Sequence, residues 1–189
     1  MVTLTSPSPV ASASPTRRLA ALALALCLLT PLTHAATLDL DQLASDELRV
    51  FNTVEVEGFV FSNDGRDGDG LGVWPSGDAR AVDRQGAGIL VHRAHTLTSI
   101  EHRDDAPFEL MSMEVSDGQA SGRSIELEFI YTDVEGAQWV EVAHLNPGAR
   151  ATTLFFSSGL VRRVSWRVVT PDHGWCQIDN VQVRVADAH

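Results

Sequence analysis

"SIELEFIYT", residues 124–132, is the stretch whose reading decides the class of fold. Ile125, Leu127, Phe129 and Tyr131 take alternate positions, with Glu126 and Glu128 between them. Successive side chains of a strand point to opposite faces, so a period of two describes a strand with one buried and one wet face. "DVEG" (133–136) turns the chain and "AQWVEVAHL" (137–145) returns with the same alternation, which predicts an antiparallel hairpin. Working outward, "RRVSWRVV" (162–169) sets Val164, Trp166 and Val168 against Arg163, Ser165 and Arg167. Shorter candidates are "TLDLDQL" (37–43), "VEVEGFVF" (54–61), "GILVH" (88–92), "HTLTSIEH" (95–102), "PFELMSMEVS" (107–116) and "TTLFFS" (152–157). Pro75, Pro107, Pro147 and Pro171 all fall between such runs, where a missing N–H costs least. About nine short strands, with one short helical candidate in "DQLASDELRV" (41–50), predict an all-β fold: an antiparallel β-sandwich, jelly-roll-like.

The first 35 residues read as something other than fold. "TRRLAALALALCLLTPLTHA" (16–35) has two arginines, an apolar stretch too short for a comfortable membrane span, and small residues at its end. That order is a secretory signal peptide, with cleavage expected after Ala35. Leu26 before Cys27 argues against a lipoprotein site. The expected product is a single β-sandwich domain over 36–189 with no membrane span, exported to the periplasm or the medium. Removing the leader, which holds two Arg and no acid, takes the formal charge from −11 to −13. An acidic surface of that size argues against nucleic acid or an anionic membrane as partner. All 14 basic residues are arginine, so lysine chemistry is absent. One cysteine, Cys176, remains after cleavage; it is either a reactive or intermolecular thiol or a small buried apolar residue, and Trp175 and Ile178 beside it favour the second.

Residues 62–86, "SNDGRDGDGLGVWPSGDARAVDRQG", read as a long Gly/Asp-rich loop. Connections of this length in a compact domain are usually functional or partly disordered. An EF-hand alignment through Asp67, Asp69 and Gly70 fails, since it places Gly65 and Ser76 at the first and last ligand positions. His92, His95, Glu101 and His102 form a second cluster with imidazole and carboxylate donors. His92 and His95 are three apart, so on one strand they would face opposite ways unless a turn intervenes. No nucleophile motif or phosphate loop occurs, and Tyr131 falls in phase with core positions. A flat indole can stack on a sugar ring while offering an N–H. Trp74 on the long loop and Trp175 in "HGWC" are the candidate ligand-binding residues, while Trp139 and Trp166 sit within strand alternations as core.

The last strand carries an oddity. "GWCQIDNVQVRV" (174–185) puts Asp179 and Asn180 in the middle of an apolar alternation. Two readings stand: Asp179 is a hard-oxygen ligand for Ca²⁺, or the pair marks a β-bulge that bonds nearby backbone.

The order of these strands resembles a set of bacterial exported β-sandwich proteins of the PEP-CTERM-associated type. The match lies in an acidic opening strand ("TLDLDQL"), a "GF-x-F" strand ("VEVEGFVF"), a "PF-x-L-x-S" strand ("PFELMSMEVS") and a closing "IDN-hydrophobic-x-V" strand ("QIDNVQV"). The sorting tail is not matched, since the chain closes on "VRVADAH". The last strand also resembles that of jelly-roll carbohydrate-binding modules. The resemblance implies a non-catalytic protein that binds glycan or exopolysaccharide or belongs to the cell-surface matrix. It also implies a structural Ca²⁺ where first and last strands meet, with Asp179, Asp39 and Asp41 as metal candidates. The alternatives are a metal-dependent, cupin-like or polysaccharide-acting enzyme using the His92/His95/His102 region, and a purely structural exported protein.

Overall fold

The computed structural model describes residues 34–65, 70–75, 89–92, 96–117, 122–146, 151–170 and 175–186, with backbone alone at His34, Ile89–His92 and Trp175. All belong to one compact unit, Thr33–His189. Residues 1–33 of the expected signal peptide, His95 and most of the long loop lie outside the described residues, whereas His34 and Ala35 open the first strand.

Thirteen strands occur among them. They are β1 (His34–Leu38), β2 (Arg49–Phe51), β3 (Thr53–Val56), β4 (Phe59–Asn63), β5 (Leu71–Val73), β6 (Ile89–His92), β7 (Thr98–His102), β8 (Phe108–Asp117), β9 (Ile125–Asp133), β10 (Gln138–Leu145), β11 (Thr152–Phe155), β12 (Val161–Val168) and β13 (Trp175–Val185). Every pairing is antiparallel. One layer runs β10-β9-β12-β7-β4-β3. The other runs β2-β5-β6-β13-β8-β11, with β1 along the second half of β13. A single bridge, Val161 to Phe108, joins the two. The fold is an antiparallel, jelly-roll-like β-sandwich.

The alternation that announced the fold places its core. Ile125, Leu127, Phe129 and Tyr131 are at most 1% exposed, and Val164, Trp166 and Val168 of β12 lie beside them. Phe59 meets Phe108 edge-on at 5.2 Å, from the opposite layer. Fully burying each phenylalanine contributes about 1.5–3 kcal/mol. The hairpin expected at 133–136 forms: the Asp133 carboxylate accepts from the amides of Glu135 and Ala137, both at 2.8 Å. Gly136 supplies the positive φ of 88° there.

Three expectations are corrected. "VEVEGFVF" is two strands, because Glu57 and Gly58 have φ of 50° and 82°. Positive φ at both central residues is what a two-residue primed hairpin turn requires. The stretch read as one long loop contains β5, whose Leu71 and Val73 are fully buried. Gly70 leads into it because a Cβ there would stand 2.1 Å from the Phe51 carbonyl oxygen. The helical candidate at 41–50 is a 3₁₀ turn over Leu40–Leu43 followed by β2. No described helix is long and apolar enough to cross a membrane.

Candidate functional site

The oddity in the last strand resolves at β13. Asp179 pairs with Glu114 and Gln182 with Ser112, so β13 advances three residues while β8 advances two. Asn180 carries the extra residue at φ 47°, a left-handed conformation that asparagine tolerates better than most. The Asp179 carboxylate accepts the Asn180 amide at 2.8 Å. Unbroken alternation from Ile178 would turn Val181 and Val183 to solvent. With the bulge, Ile178, Val181 and Val183 are all at most 1% exposed. The polar pair is therefore the device that resets the face of the strand.

The same device builds a surface. Asp179, Asn180 and Gln182 sit on the outer side of the sheet, where the Asn180 amide donates to the Glu114 carboxylate at 2.9 Å. The register continues this face across four strands. Thr37, Gln182, Ser112 and Phe155 form one row over β1, β13, β8 and β11. Asp179, Glu114 and Thr153 form the next. Beyond the first row, Arg184 bonds Glu109 at 3.0 Å. Phe155 ends its row 83% exposed, the most exposed of the large hydrophobic residues described. Leu154 and Phe156 on either side of it pack inward, Phe156 against Phe129 at 5.0 Å. Thr37, Thr153 and Gln182 are exposed and make no side-chain hydrogen bond among the described residues. The arrangement presents an apolar ring flush with amide, hydroxyl and carboxylate groups. Such a surface can take the C–H face of a ring while bonding its hydroxyls.

The outer face of the other layer is different in kind. Its charges pair across strands, Arg163 with Glu101 at 2.7 Å, Arg103 with Glu55 at 3.0 Å and Arg167 with Glu128 at 2.5 Å. These groups largely satisfy one another, leaving fewer donors for a partner.

The residues singled out by sequence fall as follows. Trp74 follows β5 and is 6% exposed, so it forms a wall and offers no open stacking face. Trp175 opens β13 opposite His92, with only its backbone described. Asp39 lies one residue beyond Leu38, which pairs with Val181, so the ends expected to share a calcium ion do come near one another. Each of the two carboxylates accepts a backbone amide. The Asp39 carboxylate caps the 3₁₀ turn by accepting the Asp41 amide at 2.9 Å, while Asp179 holds the bulge. Among the described residues no three His, Cys, Asp or Glu side chains gather as a metal-holding group.

The two described histidines of the candidate cluster, His92 by its backbone alone, fall in different layers. His92 ends β6 in one layer, and His102 ends β7 in the other, about 13 Å along the strand from Thr98. His102 lies edge-on to Phe59 at 5.1 Å and accepts the Asp104 amide on Nδ1 at 3.3 Å. Glu101 is committed to Arg163. Cys176 is fully buried, and burial pushes its thiol well above the usual range, reinforced by the negative charge of Asp117. It is the buried apolar residue of the two readings.

Sequence reasoning missed Phe155. Its signal was the doublet in "TTLFFS": in a strand, adjacent phenylalanines must face opposite ways, so one must leave the core. Trp139 was read as core and is only half-buried, stacked on Tyr131 at 5.1 Å and 13°.

No family model and no curated protein matches the chain. Among solved structures it is similar to a family 29 carbohydrate-binding module complexed with mannohexaose, at 8% identity and a TM-score of 0.46, covering 80% of this chain and 92% of that one. A cellulohexaose complex of that family gives 8% identity and a TM-score of 0.47, covering 80% and 91%. A family 32 module of AlyQ, in complex with 4,5-unsaturated mannuronic acid, gives 9% and 0.43, covering 74% of this chain and 99% of that one. Likeness at this level assigns no ligand to this chain.

Proposed function

We propose that this protein is an exported, non-catalytic glycan-binding β-sandwich of the cell surface or extracellular matrix, and that it binds through the outer face of β1, β13, β8 and β11. The observation that carries the reading is Phe155, an 83% exposed ring in register with Ser112, Gln182 and Thr37 and next to the Glu114–Asn180 pair. An exposed aromatic of this size in a strand costs solvation and has no structural role of its own. It gains one if a ring-shaped partner covers it. The layout resemblance to exported matrix proteins supports the setting, and the net charge of −11 favours uncharged partners over polyanions.

Glu114, the carboxylate at the centre of this face, accepts from the Asn180 amide and stands across from Asp179, which gives the face fixed acceptors for sugar hydroxyls. The test is retention on a panel of immobilised polysaccharides, comparing the wild type with Phe155→Ala. Aromatic contacts contribute about 0.5–1.5 kcal/mol beyond area burial. Binding should therefore weaken by about three- to tenfold at an unchanged melting temperature. Equal retention of both proteins removes this face from the reading.

A further inference from the structure

We propose a second binding site, at the free edge of β10, that takes a sugar bearing a protonated amine. It lies in the other layer and does not depend on the Phe155 face. Among the described residues β10 pairs only with β9 and no strand pairs with its outer edge. Trp139 stands directly across from Tyr131, and their rings are nearly parallel, 13° apart with centroids at 5.1 Å. That separation is close to the spacing of neighbouring strands, so the ring normals run along the sheet. Tyr131 covers one face of the indole, and Trp139, packed against the margin of the core, keeps part of its surface exposed on this edge strand.

Glu141 is the next residue on the same side of β10, about 7 Å along the strand from Trp139. The Tyr131 hydroxyl donates to Glu141 Oε2 at 3.1 Å, which fixes the carboxylate beside the indole. Arg167, on β12, bonds Glu128. Glu141 has no cationic partner among the described residues. An indole face attracts a cation through its quadrupole, and a fixed carboxylate beside it adds a charge partner. The spacing suits a pyranose whose C–H face lies on Trp139 while an ammonium substituent reaches Glu141. An acetylated amine offers neither the charge nor the same donors.

The test is calorimetric titration with a de-N-acetylated glucosamine tetramer and its fully N-acetylated counterpart, at mildly acidic pH where the amine is protonated. The wild type is expected to bind the amine form about three- to tenfold more tightly. Glu141→Gln should erase that preference, and Trp139→Ala should lose binding of the amine form. Equal binding of both tetramers overturns the proposal. So does an undiminished preference in Glu141→Gln, which would show a general attraction to the acidic surface.

Discussion

Replacing Asn180 separates the two roles given to the bulge. Asn180→Val puts a β-branched residue at φ 47° and removes the amide that donates to Glu114 at 2.9 Å. The left-handed conformation costs an ordinary residue about 1–2 kcal/mol. An exposed hydrogen bond adds about 0.5 kcal/mol, at the low end of the usual range. The sum, about 2 kcal/mol, corresponds to a fall of about 4–8 °C in melting temperature for a domain of this size. Asn180→Gly loses the same hydrogen bond but relaxes the backbone, so its midpoint should stay within about 2 °C of wild type. Thermal unfolding followed by circular dichroism reads both variants. If Asn180→Val melts with Asn180→Gly, the left-handed bulge is not what the last strand is built on. Because Asn180→Gly keeps the fold, it also reports on the face itself: glycan retention should weaken while the midpoint holds.

Two further predictions concern pH and metal. Tyr131 is the single tyrosine, and burial, then the Glu141 carboxylate, raise its pKa above the ordinary phenol range. An acid whose folded pKa is raised loses stability as pH climbs past its unfolded value, about 10 for tyrosine, with none lost below it. Cys176 is raised in the same sense by burial and begins its contribution above about 8.5. The domain should therefore weaken progressively above about pH 9, and tyrosinate absorbance should rise only with unfolding; a tyrosinate signal in the folded protein would contradict the buried phenol. Melting in EDTA and then in excess calcium tests the metal expectation at Asp39 and Asp179: equal midpoints would leave the two carboxylates to cap and bulge alone. A calcium-dependent rise that is removed by Asp179→Ala would restore the metal reading.

The class of fold was legible because alternation reports burial directly. Residues 125–131 and 164–168 needed nothing beyond a period of two to place them in the core. What the pattern concealed was local backbone conformation. Glu57–Gly58 hid a turn inside an apparent strand, since a non-glycine residue at positive φ leaves no mark on hydropathy. The three-residue β5 was too short for periodicity to show within a Gly/Asp-rich stretch. The site was half legible. Asp179 and Asn180 drew notice as polar intruders, and the bulge was one of two readings offered. Its consequence was not available, because only register brings Thr37, Ser112 and Phe155 into one row with Gln182. Trp74 misled for a simple reason: a tryptophan in a Gly/Asp-rich stretch looks exposed, whereas this one follows the buried β5 and is 6% exposed. Trp139 misled in the opposite direction, since inward-facing residues of an edge strand need not be covered by the opposing layer.

The measurement that bears most directly on the central claim is retention of wild-type and Phe155→Ala protein on a polysaccharide panel, with melting temperatures taken on the same samples. The account predicts that at least one polysaccharide retains the wild type, that Phe155→Ala is retained about three- to tenfold less, and that the two melt together. Retention that is indifferent to Phe155, or no retention by any glycan, would contradict a carbohydrate-binding face on β1, β13, β8 and β11.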